Sequence, residues 1–181
     1  DTLLMSGGWS PVVHLHSQAG GSLRFDERHQ AFVPYKAVQA HRSIGAAAGD
    51  FDLAATLACA TGDDAASPAG QSAEAIRPLW SISADGAPSA HAWVDYQNDV
   101  TAADVALAAR ENFVSVEHLK RYTTLGMASD QGKTSNVNGI GIMGELLGRA
   151  PSEIGTTRFR PPYDPTTIAI FAGHRVGEGV Q

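Results

Sequence analysis

Thr101-Ala102-Ala103-Asp104-Val105-Ala106-Leu107-Ala108-Ala109-Arg110 decides how the second half of the chain folds. Thr101 followed three residues later by Asp104 is a capping box, in which each side chain satisfies the other's free backbone N–H at a helix start. Val105, Leu107 and Ala108 then give the new helix an apolar stripe. Working outward, Ser115 with Glu117 opens a second short helix carrying Val116 and Leu119. After a polar loop, Asn136 or Asn138 starts a third helix through Ile140, Ile142, Met143, Leu146 and Leu147, and Gly148 ends it. Pro161-Pro162 blocks further helix, and Thr166 to Phe171 reads as a strand. Residues 93–160 are therefore expected to form a small, mainly helical domain.

Residues 1–66 read differently, as α/β. Leu3-Leu4-Met5 is a short strand running into the turn Ser6-Gly7-Gly8. Pro11 to Gln18 suits a short helix with proline at its first position, stopped by Gly20-Gly21. Leu23-Arg24-Phe25-Asp26 alternates as a half-exposed strand does. A second glycine-rich turn spans Ser43 to Gly49, and Asp50 or Asp52 can cap a helix from Leu53 to about Ala60, with Gly62 as its stop. Residues 67–92, rich in Ser, Ala, Pro and Gly, read as an exposed linker.

Composition limits the function classes. The chain has 181 residues, 43% of them hydrophobic, enough for a real core. Apolar residues never run unbroken for the ~20 positions of a membrane span, and nothing at the start reads as a secretory leader. The first residue is Asp1, so a processed product or a piece of a longer chain is expected. With a net charge of −6 and 13 basic residues scattered along the sequence, nucleic acid is not an expected partner. Cys59, the one cysteine, excludes an internal disulfide and reads as a small buried apolar residue.

Two strings imitate nucleotide motifs. Gly139-Ile140-Gly141-Ile142-Met143-Gly144 fits G-x-G-x-x-G, but no strand leads into it, so its glycines are expected to serve close helix packing. Gly132-Lys133-Thr134 resembles the end of a phosphate-binding loop, whose first glycine should stand where Met127 is. His14 and His16 have a spacing some metal sites use, yet lack a third ligand, so packing is expected of them. The turn at Gly45–Gly49 before a capped helix gathers backbone N–H groups, a geometry that suits a phosphate or a cofactor edge. The run from Lys120 to Asn136 concentrates hydroxyls, amides and three cations. It reads as a surface open to a cofactor or a partner rather than as a solvated loop.

Longer strings carry a family resemblance. Trp93-Val94-Asp95-Tyr96-Gln97-Asn98-Asp99-Val100-Thr101, Ser115 to Met127, Asp130 to Asn136, and Gly155 to Tyr163 are together similar to the sarcosine oxidase alpha subunit. So is Ser6-Gly7-Gly8-Trp9-Ser10-Pro11 with His14, Leu15 and Gln18. The resemblance implies that residues 1–66 end a dinucleotide-binding domain and that 93–160 are a small helical domain. It makes 161–181 the start of a folate-binding, aminomethyltransferase-like domain. It implies NAD near Gly45, Ala46, Phe51 and Leu53. Lys120, Arg121, Thr123, Thr124, Gly126, Met127, Gln131 and Lys133 are then expected to face FMN or the subunit interface. No catalytic residue and no metal ligand are expected here.

The implied assembly is a cytoplasmic heterotetramer with beta, gamma and delta subunits, holding FAD and tetrahydrofolate elsewhere. It would demethylate sarcosine oxidatively to glycine and hydrogen peroxide, with formaldehyde or methylene-tetrahydrofolate. The chain alone is expected to be inactive. Relatives of the helical domain hold a [2Fe–2S] cluster through four cysteines, at positions that fall here on Asp95, Gln97, Asp130 and Ser135. Thiolates being the cluster's ligands, no iron–sulfur cluster is expected. The alternatives are a related opine, glycine or dimethylglycine-type oxidase subunit, or a purely structural assembly module.

Overall fold

The structure, a computed structural model, describes residues 9–62, 75–82 and 91–173. The expected strand at Leu3–Met5 and the turn at Ser6–Gly8 lie outside the described residues. The first region begins with helix α1 (His14–Gln18), β1 (Ser22–Asp26) and β2 (Ala31–Lys36). α1 starts later than the proline suggested: its first backbone bond runs from Ser17 N–H to Val13 C=O. β1 and β2 form an antiparallel pair in which Phe25 faces Phe32 edge-on. A single 3-10 turn (Gly45–Ala48) then leads to α2 (Leu53–Thr61). Asp52, rather than Asp50, caps α2 by accepting the Ala55 N–H at 2.9 Å, and Gly62 ends it in the left-handed conformation.

The second region opens with a hairpin that periodicity did not reveal, β3 (Trp93–Asp95) against β4 (Val100–Thr101). Such short strands leave too few residues for an alternation to register. The capping box forms as expected: Thr101 N–H donates to the Asp104 carboxylate at 2.8 Å, and Asp104 N–H donates to the Thr101 hydroxyl at 3.3 Å. It starts α3 (Ala102–Arg110). α4 (Val116–Thr123) follows, capped by Ser115, whose hydroxyl accepts the His118 N–H. Then come α5 (Asn136–Leu147), α6 (Pro151–Ile154) and α7 (Ile168–Ala172). Val100, Val105, Ala108, Leu119, Leu125, Ile140 and Met143 close the core, with Phe32 joining it from the first region. Burying a side chain such as Leu119 contributes about 1.5–3 kcal/mol.

The glycines of α5 serve packing, as expected. A methyl group on Gly139 would overlap Leu125, one on Gly141 the Trp80 ring, and one on Gly144 the Arg149 carbonyl.

Of the stretch read as an exposed linker, residues 75–79 and 82 are exposed, while Ile76 N–H donates to the Arg28 carbonyl, Trp80 packs on α5, and Ser81 donates to Glu145. A single tryptophan outweighs the polar composition around it, because its large ring finds the flat face that Gly141 leaves open. One expectation is corrected: Ile168–Ala172 is helical, not a strand. A strand needs a neighbour to complete its backbone bonds, and neither sheet among the described residues takes this segment as a strand.

Candidate functional site

Asp95, at the end of β3, organises the polar loop. Its carboxylate is almost fully buried, and one oxygen accepts the N–H groups of Gln97 and Asn98 at 2.9 and 3.3 Å. The other accepts the Gly126 N–H at 2.8 Å and the Ser135 hydroxyl at 3.4 Å. Charge-assisted bonds of this kind are about twice as strong as neutral ones, so hairpin and loop are locked from both ends. Asn136 fills the space beside Gly126 and Gly132. Both glycines have positive φ, and a side chain on either would overlap that amide.

The loop is therefore far less open than its composition suggested. Gly126 and Gly132 are buried, and Gln131 is half-buried. The Gln131 side chain donates to Ala128 C=O, while its backbone carbonyl accepts from His14 Nε2 at 2.9 Å. Thr123 donates to Leu119 C=O and accepts the Leu125 N–H. Lys133 is committed to the C-terminal segment: its ammonium donates to Tyr163 C=O at 2.7 Å, pairs with Asp164 at 3.1 Å, and lies over the Tyr163 ring. What turns outward is Arg121, Thr124 and Met127, with Lys120 half-buried beside them. Tyr122 is partly exposed, but its hydroxyl donates to Glu111 at 2.7 Å and its ring stacks on Phe113. The bond to Glu111 raises the phenol's pKa above its ordinary value.

His14 and His16 are packing residues of an active kind. The His14 ring stacks on Phe159 with centroids 3.7 Å apart, so α1 grips both the loop and the segment after α6. Burial lowers the His14 pKa below the usual imidazole value, and the Lys133 charge adds to this, outweighing the Gln131 carbonyl. His16 bonds the Ser22 carbonyl on one side and His41 on the other, which ties α1 to the chain leading into the 3-10 turn. Among the described residues no group of three or more His, Cys, Asp or Glu could hold a metal ion.

The four positions where the resemblance put cluster cysteines make other contacts. Asp95 meets Ser135, Gln97 accepts from Ser129, and Asp130 caps the Gly132 N–H and the Thr134 hydroxyl. Sequence reading valued Asp95 only as a replaced ligand, although Asp followed by polar residues in a tight turn is itself a turn signal. It also missed Phe159 as the ring that holds His14.

Gly45, Ala46, Phe51 and Leu53 lie along the chain where the 3-10 turn leads into α2. Gly45 is buried at φ +61°, whereas Ala46, Phe51 and Leu53 are exposed. The exposed side chains here are apolar, and the Asp52 carboxylate already holds the α2 N-terminus.

An alpha-type helical module with an antiparallel α/β unit ahead of it is the class that this geometry defines. Residues 89–174 match the family model described as the sarcosine oxidase A3 domain. Over 98% of its length the chain is 44% identical to the sarcosine oxidase alpha subunits of Corynebacterium sp. strains U-96 and P-1. It is 39% identical over its full length to that of Rhizobium meliloti strain 1021. The chain belongs to the sarcosine oxidase alpha-subunit family, and it spans about a fifth of the length of these relatives.

Proposed function

We propose that this chain serves, within the alpha subunit of a sarcosine oxidase, as a wall between two cofactor sites and as a contact for the beta subunit. On this reading the assembly converts sarcosine to glycine with hydrogen peroxide, and the gamma and delta subunits complete it. FMN supplies flavin electron chemistry when bound. Residues 1–66 end a dinucleotide-binding domain, and Phe51 and Leu53 lie against NAD. Lys120, Arg121, Thr124 and Met127 face FMN or the beta subunit. Lys133 is reassigned from the cofactor to the Tyr163 segment. The observation that carries the reading is the division of the 120–136 loop. Its interior is tied to Asp95 and His14 and Lys133 to the Tyr163 segment, while Arg121, Thr124 and Met127 are left turned outward.

The assembled oxidase provides the test. Leu53→Asp should lower NAD content and leave FMN unchanged, whereas Met127→Asp should lower FMN content or beta-subunit retention and leave NAD unchanged. If each variant keeps both cofactors and the partner, the two faces have no such roles.

A further inference from the structure

Two buried side chains, at the first residues of α1 and α5, each keep one polar atom without a partner. Among the described residues, His14 Nδ1 and Asn136 Nδ2 make no hydrogen bond, although His14 is only 3% exposed and Asn136 6%. Both groups are anchored to the same stretch of backbone. His14 Nε2 bonds the Gln131 carbonyl at 2.9 Å. The Asn136 amide lies against Gly132, the next residue, and its backbone N–H donates to Gly132 C=O at 3.1 Å. The two side chains also line one cavity of about 20 Å³. Lys133 borders this cavity too, but its ammonium is committed to Tyr163 and Asp164. Val13, Phe32 and Phe159 supply apolar wall.

The two atoms are complementary, yet they do not meet. A carbonyl can only accept, so His14 Nε2 carries the proton and Nδ1 presents a lone pair. Burial, which lowers the ring's pKa, keeps it neutral at pH 7. Asn136 Nδ2 presents N–H groups and no acceptor. Neither is the other's partner, so they stand beyond direct hydrogen-bond reach. We infer that the cavity is a binding site for one water molecule, which donates to His14 Nδ1 and accepts from Asn136 Nδ2. A water needs a cavity of roughly 10–15 Å³ or more, so about 20 Å³ admits one and no larger ligand. A cation would face the amide N–H groups, and an anion would face the imidazole lone pair. A neutral molecule that both donates and accepts suits the pair. Buried groups left unpaired cost their full desolvation, which the water removes at both ends. Ser10 and Thr156 line the same cavity and bring it further polar groups. The water thus completes a chain of bonds from α1 to α5, whatever cofactor or subunit meets the outer surface.

The experiment uses the 181-residue chain, isotope-labelled for nuclear magnetic resonance. Cross-peaks from water should reach the side-chain amide protons of Asn136 and the carbon-bound ring protons of His14. Their sign should be that of a water tumbling with the protein. Magnetic relaxation dispersion of the water oxygen should fall by one long-lived molecule per chain in His14→Phe, which keeps a ring against Phe159 and has no Nδ1. His118→Phe, an exposed ring on α4, should leave that amplitude unchanged. Absence of the slow-tumbling cross-peaks at both groups of the wild type would overturn the inference, with no variant required to fold. A scalar coupling between His14 Nδ1 and Asn136 Nδ2 would overturn it as well, because the two would then be bonded directly. So would an unchanged dispersion amplitude in a His14→Phe chain whose α3 amide resonances remain native.

Discussion

The helices of the second region and α2 of the first differ in how they place their apolar residues. In the helical region Ala102, Val105, Ala108, Leu119 and Met143 are fully enclosed. In the region before it, Val38, Phe51, Leu53 and Leu57 are about half exposed or more, and only Ala55 of α2 is buried. The helical region supplies most of the core, which Phe32 joins from β2, whereas α2 is held by its caps and by the turn before it. Caps contribute only about 1 kcal/mol each. A helix held in this way is poised to be stabilised by whatever covers it, which is how a cofactor-facing edge differs from a core helix.

Substitutions can break the comparison. Leu119→Ala should cost the most, about 2–5 kcal/mol in denaturant unfolding, because it empties a closed site. Leu53→Ala, an identical loss of volume on the exposed helix, should cost less than about 0.5 kcal/mol. Equal costs would show that the two regions do not differ as described.

Gly141→Val should cost about 1–3 kcal/mol by forcing the Trp80 ring away. Asp95→Ala leaves the Gly126 N–H without its acceptor, at about 1–3 kcal/mol. Amide exchange at Gly126 should rise in that variant while exchange in α2 stays as it was.

The smallest effect is one of pH. Unfolding lets His14 return to its ordinary imidazole value of 6.5, above its folded value. Between the two values the unfolded chain binds more protons than the native one. This stability is therefore fully present above pH 6.5 and declines as pH falls below it. Comparing urea midpoints of His14→Phe and wild type at pH 7.5 and 5.5 checks the sign: the difference should narrow or reverse toward the variant at the lower pH.

The helical region was also the more legible from sequence. Helix ends are written in adjacent residues: Thr101 with Asp104 and Ser115 at starts, and Gly148 at a stop, all stand where local bonding alone decides. The candidate site was legible in place but not in orientation. Lys133 and Lys120 look alike in the string, yet one is spent on Tyr163 and the other is not, and only the packing of residues 30 to 40 positions away distinguishes them. Asp95 is a similar case, since the groups that make it an organiser arrive from Gly126 and Ser135. The misread Ile168–Ala172 segment has Ile168, Ile170 and Phe171 all exposed, so neither period leaves a buried face to read.

The seat of Trp80 on Gly141 also gives the protein an optical reporter of its own. Of the three tryptophans, Trp9 is 82% exposed and Trp93 46%, and both should emit as wet indoles. Trp80 is the half-buried one that packs against the core, so the blue edge of the emission belongs to it. An exposed-residue quencher such as iodide should silence the first two and leave that edge standing. Through it, the joining of residues 75–82 to α5 can be followed without a label, in the chain alone or inside an assembly.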